Sequence, residues 1–248
     1  METNEISGVV FDKDGTLTDY HLTWSPLNEA AATMAAGGDP ALIAHLLDLG
    51  GRDPHTGRVR GGSLLAAADT REIAEAWSAA GAQHDTDSLE RRMDEIFEAG
   101  AERAVAVTAI GDLFRRLQSR GLTLGVATSD SEAGARATLR QLGIDDTSRL
   151  FVAGYDSGHG RKPSSGMVDA FCASSGLSSR AVAVVGDNLH DIRMGRAAGC
   201  GLCIGVLTGA SVREELADEA DYVLDSVAAL EGLLDRLRTG RVEATWGR

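Results

Sequence analysis

Short apolar runs that stop abruptly at acidic or hydroxyl residues punctuate this chain. Ile6 to Phe11 stops at Asp12, Leu122 to Ala127 stops at Thr128-Ser129-Asp130, and Ala181 to Val185 stops at Gly186-Asp187. Leu150-Phe151-Val152, Gly201 to Val206 and the weaker Tyr222-Val223-Leu224 are further runs of the same kind. Runs that stay apolar without alternating read as strands covered on both faces. Between them apolar residues recur at helical spacing: Ile110, Leu113, Phe114 and Leu117, then Ala133 to Leu142, Ser165 to Ser175 and Leu189 to Ala198, with Asp225 to Leu237 closing the series. Strand alternating with helix predicts a parallel sheet with helices on both sides, an α/β fold of the Rossmann-like, doubly wound kind.

The stretch between the first strand and Val105 breaks that alternation. Leu27, Ala30, Ala31 and Met34 lie at helical spacing, and Pro40 to Leu49 places Leu42, Ile43, Leu46 and Leu47 on one helical face. Asp39-Pro40 is a suitable N-cap and first-turn pair, and Gly50-Gly51 stops the helix. Arg52 to Gly62 has no period and reads as a loop, whereas Asp69 to Ala80 and Ser88 to Glu102 are two more amphipathic helices. The expected organisation is therefore a discontinuous α/β core, residues 1–19 and 106–238, interrupted by a small all-helical cap domain, residues 20–105. The cap hinges at about Asp19 and Val105, and a loose tail occupies residues 239–248.

Composition narrows the function classes. A formal charge of -13 argues against nucleic acid or an anionic membrane as a partner, and requires a locally positive site for any anionic substrate. No apolar run approaches membrane-spanning length, and Met1-Glu2-Thr3-Asn4-Glu5 has no signal-peptide character. Three cysteines, Cys172, Cys200 and Cys203, cannot all pair, so a cytoplasmic, reducing location is expected. Cys200-Gly201-Leu202-Cys203 has the CxxC form but lies in a strand-like run without a second ligand pair, and reads as core packing. Lysine occurs only as Lys13 and Lys162.

The strand ends carry the candidate chemistry. Asp12 and Asp14, one residue apart before a Gly15 turn, would repel each other as bare carboxylates; a divalent cation relieves that, and so does a shared proton. The Thr128 and Ser129 hydroxyls and the backbone N–H groups after them could hold phosphate oxygens or simply cap a helix. Lys162, before Pro163 at a helix start, can reach over the site as a point charge suited to phosphate. Asp187 and Asp191, four apart, lie on one face of the helix that follows, although Asp187 could serve merely as its N-cap. Asn188 and His190 read as turn and surface residues. Acids from both strand ends make an oxygen-rich site for a hard cation, most simply Mg²⁺.

Four stretches in order, Asp12-Lys13-Asp14-Gly15-Thr16-Leu17, Thr128-Ser129-Asp130, Arg161-Lys162-Pro163 and Gly186-Asp187 with Asp191, resemble the motifs of the haloacid dehalogenase (HAD) superfamily, specifically its phosphoglycolate-phosphatase-like members. The resemblance implies a Mg²⁺-dependent phosphomonoester hydrolase acting on a small phosphorylated metabolite. Asp12 would be the nucleophile and Asp14 the general acid and base. Lys162, Thr128 and Ser129 would hold the transferring phosphoryl group. Asp12, the Asp14 carbonyl and Asp187 would bind the metal, with Thr16 bracing the turn and Asp191 in support. Retaining Asp14 speaks against dehalogenation, and an insert without lysine speaks against a phosphonoacetaldehyde hydrolase, which places a Schiff-base lysine in its cap. A sugar-phosphate mutase resembling β-phosphoglucomutase is the main alternative, and a catalytically dead scaffold that only binds is another. In the cap, Arg52, Arg58 and Arg60 could read a second anion such as the carboxylate of phosphoglycolate, or belong to a solvated loop. Trp24 could line the entrance, though packing of cap on core is the preferred reading. Oligomeric state is not legible.

Overall fold

The computed structural model describes residues 5–240 except 101, 102 and 145. Six strands, β1 (Gly8–Phe11), β2 (Thr123–Ala127), β3 (Phe151–Ala153), β4 (Val182–Gly186), β5 (Leu202–Val206) and β6 (Tyr222–Leu224), form one sheet in the order β3-β2-β1-β4-β5-β6. All five pairings are parallel. Alternation along β1 sends Val9 and Phe11 to one side and Val10 to the other. On the first side they meet Leu113, Phe114 and Leu117 of α6 (Ile110–Ser119), Leu139 of α7 (Glu132–Gln141), and Leu230 and Leu233 of α11 (Leu230–Arg238). On the second, Val10 and Val184 meet Met167 and Phe171 of α8 (Gly166–Ser175) and Met194 of α9 (Leu189–Ala197). Cys203 is buried with Ile192 and Leu216, as the packing reading of the CxxC requires.

Register decides where the chemistry falls. Phe11 lies opposite Val126 on β2 and Val185 on β4, so the three strands end at the same level. The chain order reverses between β1 and β4, which is the switch point where a crevice opens at the carboxyl edge of a doubly wound sheet. Asp12, Thr128 and Asp187 all emerge there.

The insert is helical: α1 (Tyr20–Ala35), α2 (Pro40–Leu49), α3 (Leu64–Ala67), α4 (Thr70–Ala79) and α5 (Thr86–Gly100). They enclose a core of their own around Ala32, Leu46, Ile73, Trp77, Met93 and Phe97. Asp39 accepts from the N–H groups of Ala41 and Leu42 to cap α2, and Asp69 forms a capping box with Glu72 on α4. The two chain crossings pair with each other, Asp19 N–H to Val105 O at 2.8 Å and Val107 N–H to Leu17 O at 3.1 Å.

Two short helices were not foreseen, α3 and α10 (Arg213–Ala217), because one turn is too short to show a period. The closing helix begins at Leu230 and not at Asp225, since Ser226 caps a separate 3₁₀ turn, Val227–Ala229. The expected end of α5 at residues 101–102 and the tail from 241 lie outside the described residues. No described helix is long and apolar enough to cross a membrane.

Candidate active site

The floor of the crevice is a cluster of carboxylates around one lysine. Asp12 follows β1, its N–H bonded to Val185 O at 2.8 Å. Its Oδ1 accepts from Lys162 Nζ at 2.6 Å, while its buried Oδ2 has no hydrogen-bond partner. Burial pushes the Asp12 carboxyl up to about 7 against the pull of Lys162, with Asp191 and Asp14 adding to the rise. Asp187 leaves β4 and accepts from Ala210 N–H at 2.9 Å. Its environment is made by glycine: Gly15, at φ +85°, and Gly209 come so close that a Cβ on either would fall 2.6 Å or 1.7 Å from Asp187 Oδ2. Burial, then Asp12 and Asp191, raise Asp187 well above the ordinary carboxylate range.

Asp191 sits in the first turn of α9. Its Oδ2 accepts from Asn188 N–H at 3.1 Å and its Oδ1 from Lys162 Nζ at 2.6 Å. Burial alone would lower the Lys162 ammonium, but Asp12 and Asp191 hold it above its usual range. Oxygens of Asp12, Asp187 and Asp191 lie within 4.8 Å of one another. An orphaned Asp12 oxygen, two carboxyls raised by burial and an all-oxygen donor set fit a hard divalent cation. Asp191 thus joins the candidate metal cluster, where the sequence had suggested only a supporting place, and the side chain of Asp14 does not.

Asp14 turns aside. Its Oδ1 accepts from Thr18 Oγ1 at 3.2 Å and from Lys13 Nζ at 2.8 Å, and Lys13 Nζ is 2.7 Å from Oδ2. The hydroxyl that bonds Asp14 in this turn is that of Thr18, whereas the hydroxyl of Thr16, expected to brace the turn, is fully buried without a partner. Lys13, which sequence reasoning left without a role, is 2 % exposed and also pairs with Asp130 at 3.2 Å. Its ammonium lies 5.3 Å from the centre of the Trp24 ring, a cation–π contact. Burial works against its charge, yet Asp14 and Asp130 keep its ammonium above the usual range. Its isolation as one of two lysines, set between two aspartates, was the available signal.

Thr128 and Ser129 follow β2. The Thr128 Oγ1 accepts from Asp130 N–H at 3.1 Å, and Ser129 Oγ donates to Ala67 O at 3.5 Å. That second contact belongs to a series in which successive carbonyls of α3 are each engaged. Tyr20 Oη donates to Leu65 O at 2.6 Å, Asn188 Nδ2 to Ala66 O at 3.4 Å, and Ser129 to Ala67 O. Asn188, read earlier as a turn residue, is buried, caps α9 in place of Asp187 and touches the insert. His190, read as a surface residue, lines the cleft with it. Arg161 binds Asp69 at 2.6 Å across the same boundary, and Tyr155 Oη donates to Asp94 Oδ2 at 3.3 Å.

The cleft between the two layers has an empty volume of ≈ 630 Å³, its open mouth included. Asp12, Asp14, Thr128, Ser129, Lys162, Asp187 and Asp191 all line it. Arg52, Arg58 and Arg60 do not: Arg52 lies 3.8 Å from Glu29, and Arg58 and Arg60 are exposed. The insert reaches the cleft instead through Tyr20, Trp24, Asn28, Ile73, Phe97 and the α3 segment. Trp24 lines the cleft, packs edge-on against Phe97 at 4.9 Å within the insert, and meets the core at Lys13.

Residues 6–199 match the model of a family described as haloacid dehalogenase-like hydrolase. A phosphoglycolate phosphatase of Yersinia pestis is 29% identical over 240 residues, covering 91% of each chain. The N-acetylmuramic acid 6-phosphate phosphatase of Pseudomonas aeruginosa is 27% identical over 203 residues, 80% of this chain and 81% of that one. The structure of CbbY from Rhodobacter sphaeroides in complex with phosphate superposes with a TM-score of 0.68 at 23% identity, over 91% of this chain and 96% of that one, and so shares the fold.

Proposed function

The chain belongs to the haloacid dehalogenase-like hydrolases, and from that premise we propose that it is a Mg²⁺-dependent phosphomonoester hydrolase of small phosphorylated metabolites, working through an aspartyl-phosphate on Asp12. The observation that carries this reading is the Asp12 carboxylate, which lines the cleft with one oxygen held by Lys162 and the other without a partner. The helical insert, residues 20–105, acts as the cap over the core of residues 1–19 and 106–238.

An Asp12 oxygen attacks phosphorus in line with the ester oxygen, and the P–O bond to the alcohol breaks as the acyl-phosphate bond forms. Asp14, protonated, gives its proton to the departing alkoxide and then, as carboxylate, takes a proton from the water that hydrolyses the acyl phosphate. This requires Asp14 to exchange its bonds to Lys13 and Thr18 for one to the ester oxygen. Lys162, 2.6 Å from Asp12, meets an oxygen on the phosphorus that Asp12 has attacked, and the Thr128 and Ser129 hydroxyls hold others. Mg²⁺ on Asp12, Asp187 and Asp191, with the Asp14 carbonyl, would neutralise the clustered acids and the phosphoryl charge.

Among the described residues lining the cleft none favours a mutase, which must hold a second phosphate: Arg52, Arg58 and Arg60 lie outside the lining. Phosphate release from p-nitrophenyl phosphate should vanish in chelator and return with Mg²⁺, whereas full activity in chelator would remove the metal from the account. The likeness to named phosphatases supports the reaction, and the cleft itself speaks to the substrate.

A further inference from the structure

The cleft has two chemically different ends. Its floor holds five carboxylates, Asp12, Asp14, Asp130, Asp187 and Asp191, against a single lining lysine. Lys162 is committed at 2.6 Å to both Asp12 and Asp191, and Lys13 is committed to Asp14 and Asp130 beneath the Trp24 ring. Its roof is made of Tyr20, Trp24, Ile73, Phe97 and the α3 segment, with Asn28 and Thr70 as neutral polar groups, and among the described residues no lysine or arginine lines it.

Three guanidinium groups of the insert and its margin are engaged elsewhere, and Arg58 and Arg60 are exposed outside the lining. Arg161 is held by Asp69 at 2.6 Å, Arg71 by Glu75, Asp87 and Glu90, and Arg52 faces Glu29. A second anion on the substrate would leave water for a roof without a cation, above a floor that is already acidic. Burying an unpaired charge is far more costly than losing a neutral hydrogen bond. The same roof suits carbon. Trp24 and Phe97 stand edge to face, and Trp24 Nε1 and Asn28 Nδ2, both buried without an acceptor, are spare donors for neutral oxygens.

We propose that this site acts on phosphomonoesters of uncharged alcohols that carry an apolar or aromatic face, and discriminates against leaving groups bearing a carboxylate or a second phosphate. The proposal rests on the phosphatase reading above and sets this chain apart in substrate from the phosphoglycolate phosphatases it is similar to.

The test compares kcat/KM for benzyl phosphate and 4-carboxybenzyl phosphate at saturating Mg²⁺, a pair matched in frame and leaving oxygen, alongside phosphoglycolate and p-nitrophenyl phosphate. Benzyl phosphate should exceed its carboxylated partner and phosphoglycolate by at least tenfold. Placing a cation in the roof through Ala68→Arg, at a half-buried lining position, should shift the carboxylated-to-neutral ratio at least fivefold toward the carboxylate. Equal or better turnover of either carboxylated ester by the wild type overturns the proposal, and so does an unchanged ratio in the variant. Turnover of p-nitrophenyl phosphate alongside a preference for carboxylates sinks the substrate class alone. No turnover of any ester sinks the phosphatase reading, and this proposal with it.

Discussion

Two buried threonines separate hydroxyls that matter from hydroxyls that do not. Thr18 Oγ1 donates to the Asp14 carboxylate, while the Thr16 hydroxyl has no partner. Thr18→Val should leave the half-buried Asp14 carboxylate short of a bond, at a cost of about 1–3 kcal/mol in unfolding free energy. Thr16→Val keeps the shape and removes only an unpaired polar atom, so stability should stay within about 0.5 kcal/mol of wild type or improve. Denaturant unfolding of both variants checks the pair, and equal losses would contradict the assignment. Residue type and motif spacing located Asp12, Thr128, Lys162 and Asp187, because strand ends at one level bring such positions together. Lys13 escaped because a charge flanked by aspartates reads equally well as solvated. Only the closure of Trp24 and Asp130 around it shows that it is buried.

At the scale of elements, long periodic segments were legible and single turns were not. α2 was placed residue for residue from its Asp39 cap, its apolar face and its glycine stop. α3, one turn long, is defined by tertiary contacts, its carbonyls taken by Tyr20, Asn188 and Ser129. For the same reason the sequence offered the arginine loop either as a reader of substrate or as a solvated loop, and gave no sign that the segment just after it lines the cleft. The boundary between α5 and the core has its own electrostatic signature. Burial raises Asp94 to about 6, against hydrogen bonds from Thr70 and Tyr155 and with Glu90 and Asp130 adding to the rise. A carboxyl whose native value is raised holds its proton more tightly when folded. Stability from this group is therefore full below the unfolded value near 3.8 and is lost as pH climbs through about 6. Discounted for its partial exposure, the neutral-pH penalty is on the order of 1 kcal/mol. Asp94→Asn should accordingly raise Tm by roughly 2–4 °C at pH 7.5 and by much less at pH 4. A change of equal size at both pH values, or a fall at pH 7.5, would contradict the assignment.

For the molecule as a whole, a chain of charge -13 handles an anionic substrate by confining positive charge to one point. Lys162, and a cation held by Asp12, Asp187 and Asp191, would supply it beneath the apolar and aromatic groups that the insert contributes to the cleft. In the proposed function the sheet edge would carry out the chemistry and the helices would choose the leaving group, the two joined by covalent capture of phosphate on Asp12. Acid-quenching the enzyme during turnover of p-nitrophenyl phosphate, reducing with borohydride and mapping peptides by mass spectrometry tests this most directly. An aspartyl-phosphate is reduced to homoserine. Homoserine should appear at position 12 when substrate and Mg²⁺ are both present, and be absent without either. Sustained turnover with residue 12 unmodified, or turnover within tenfold of wild type in Asp12→Asn, would contradict the account.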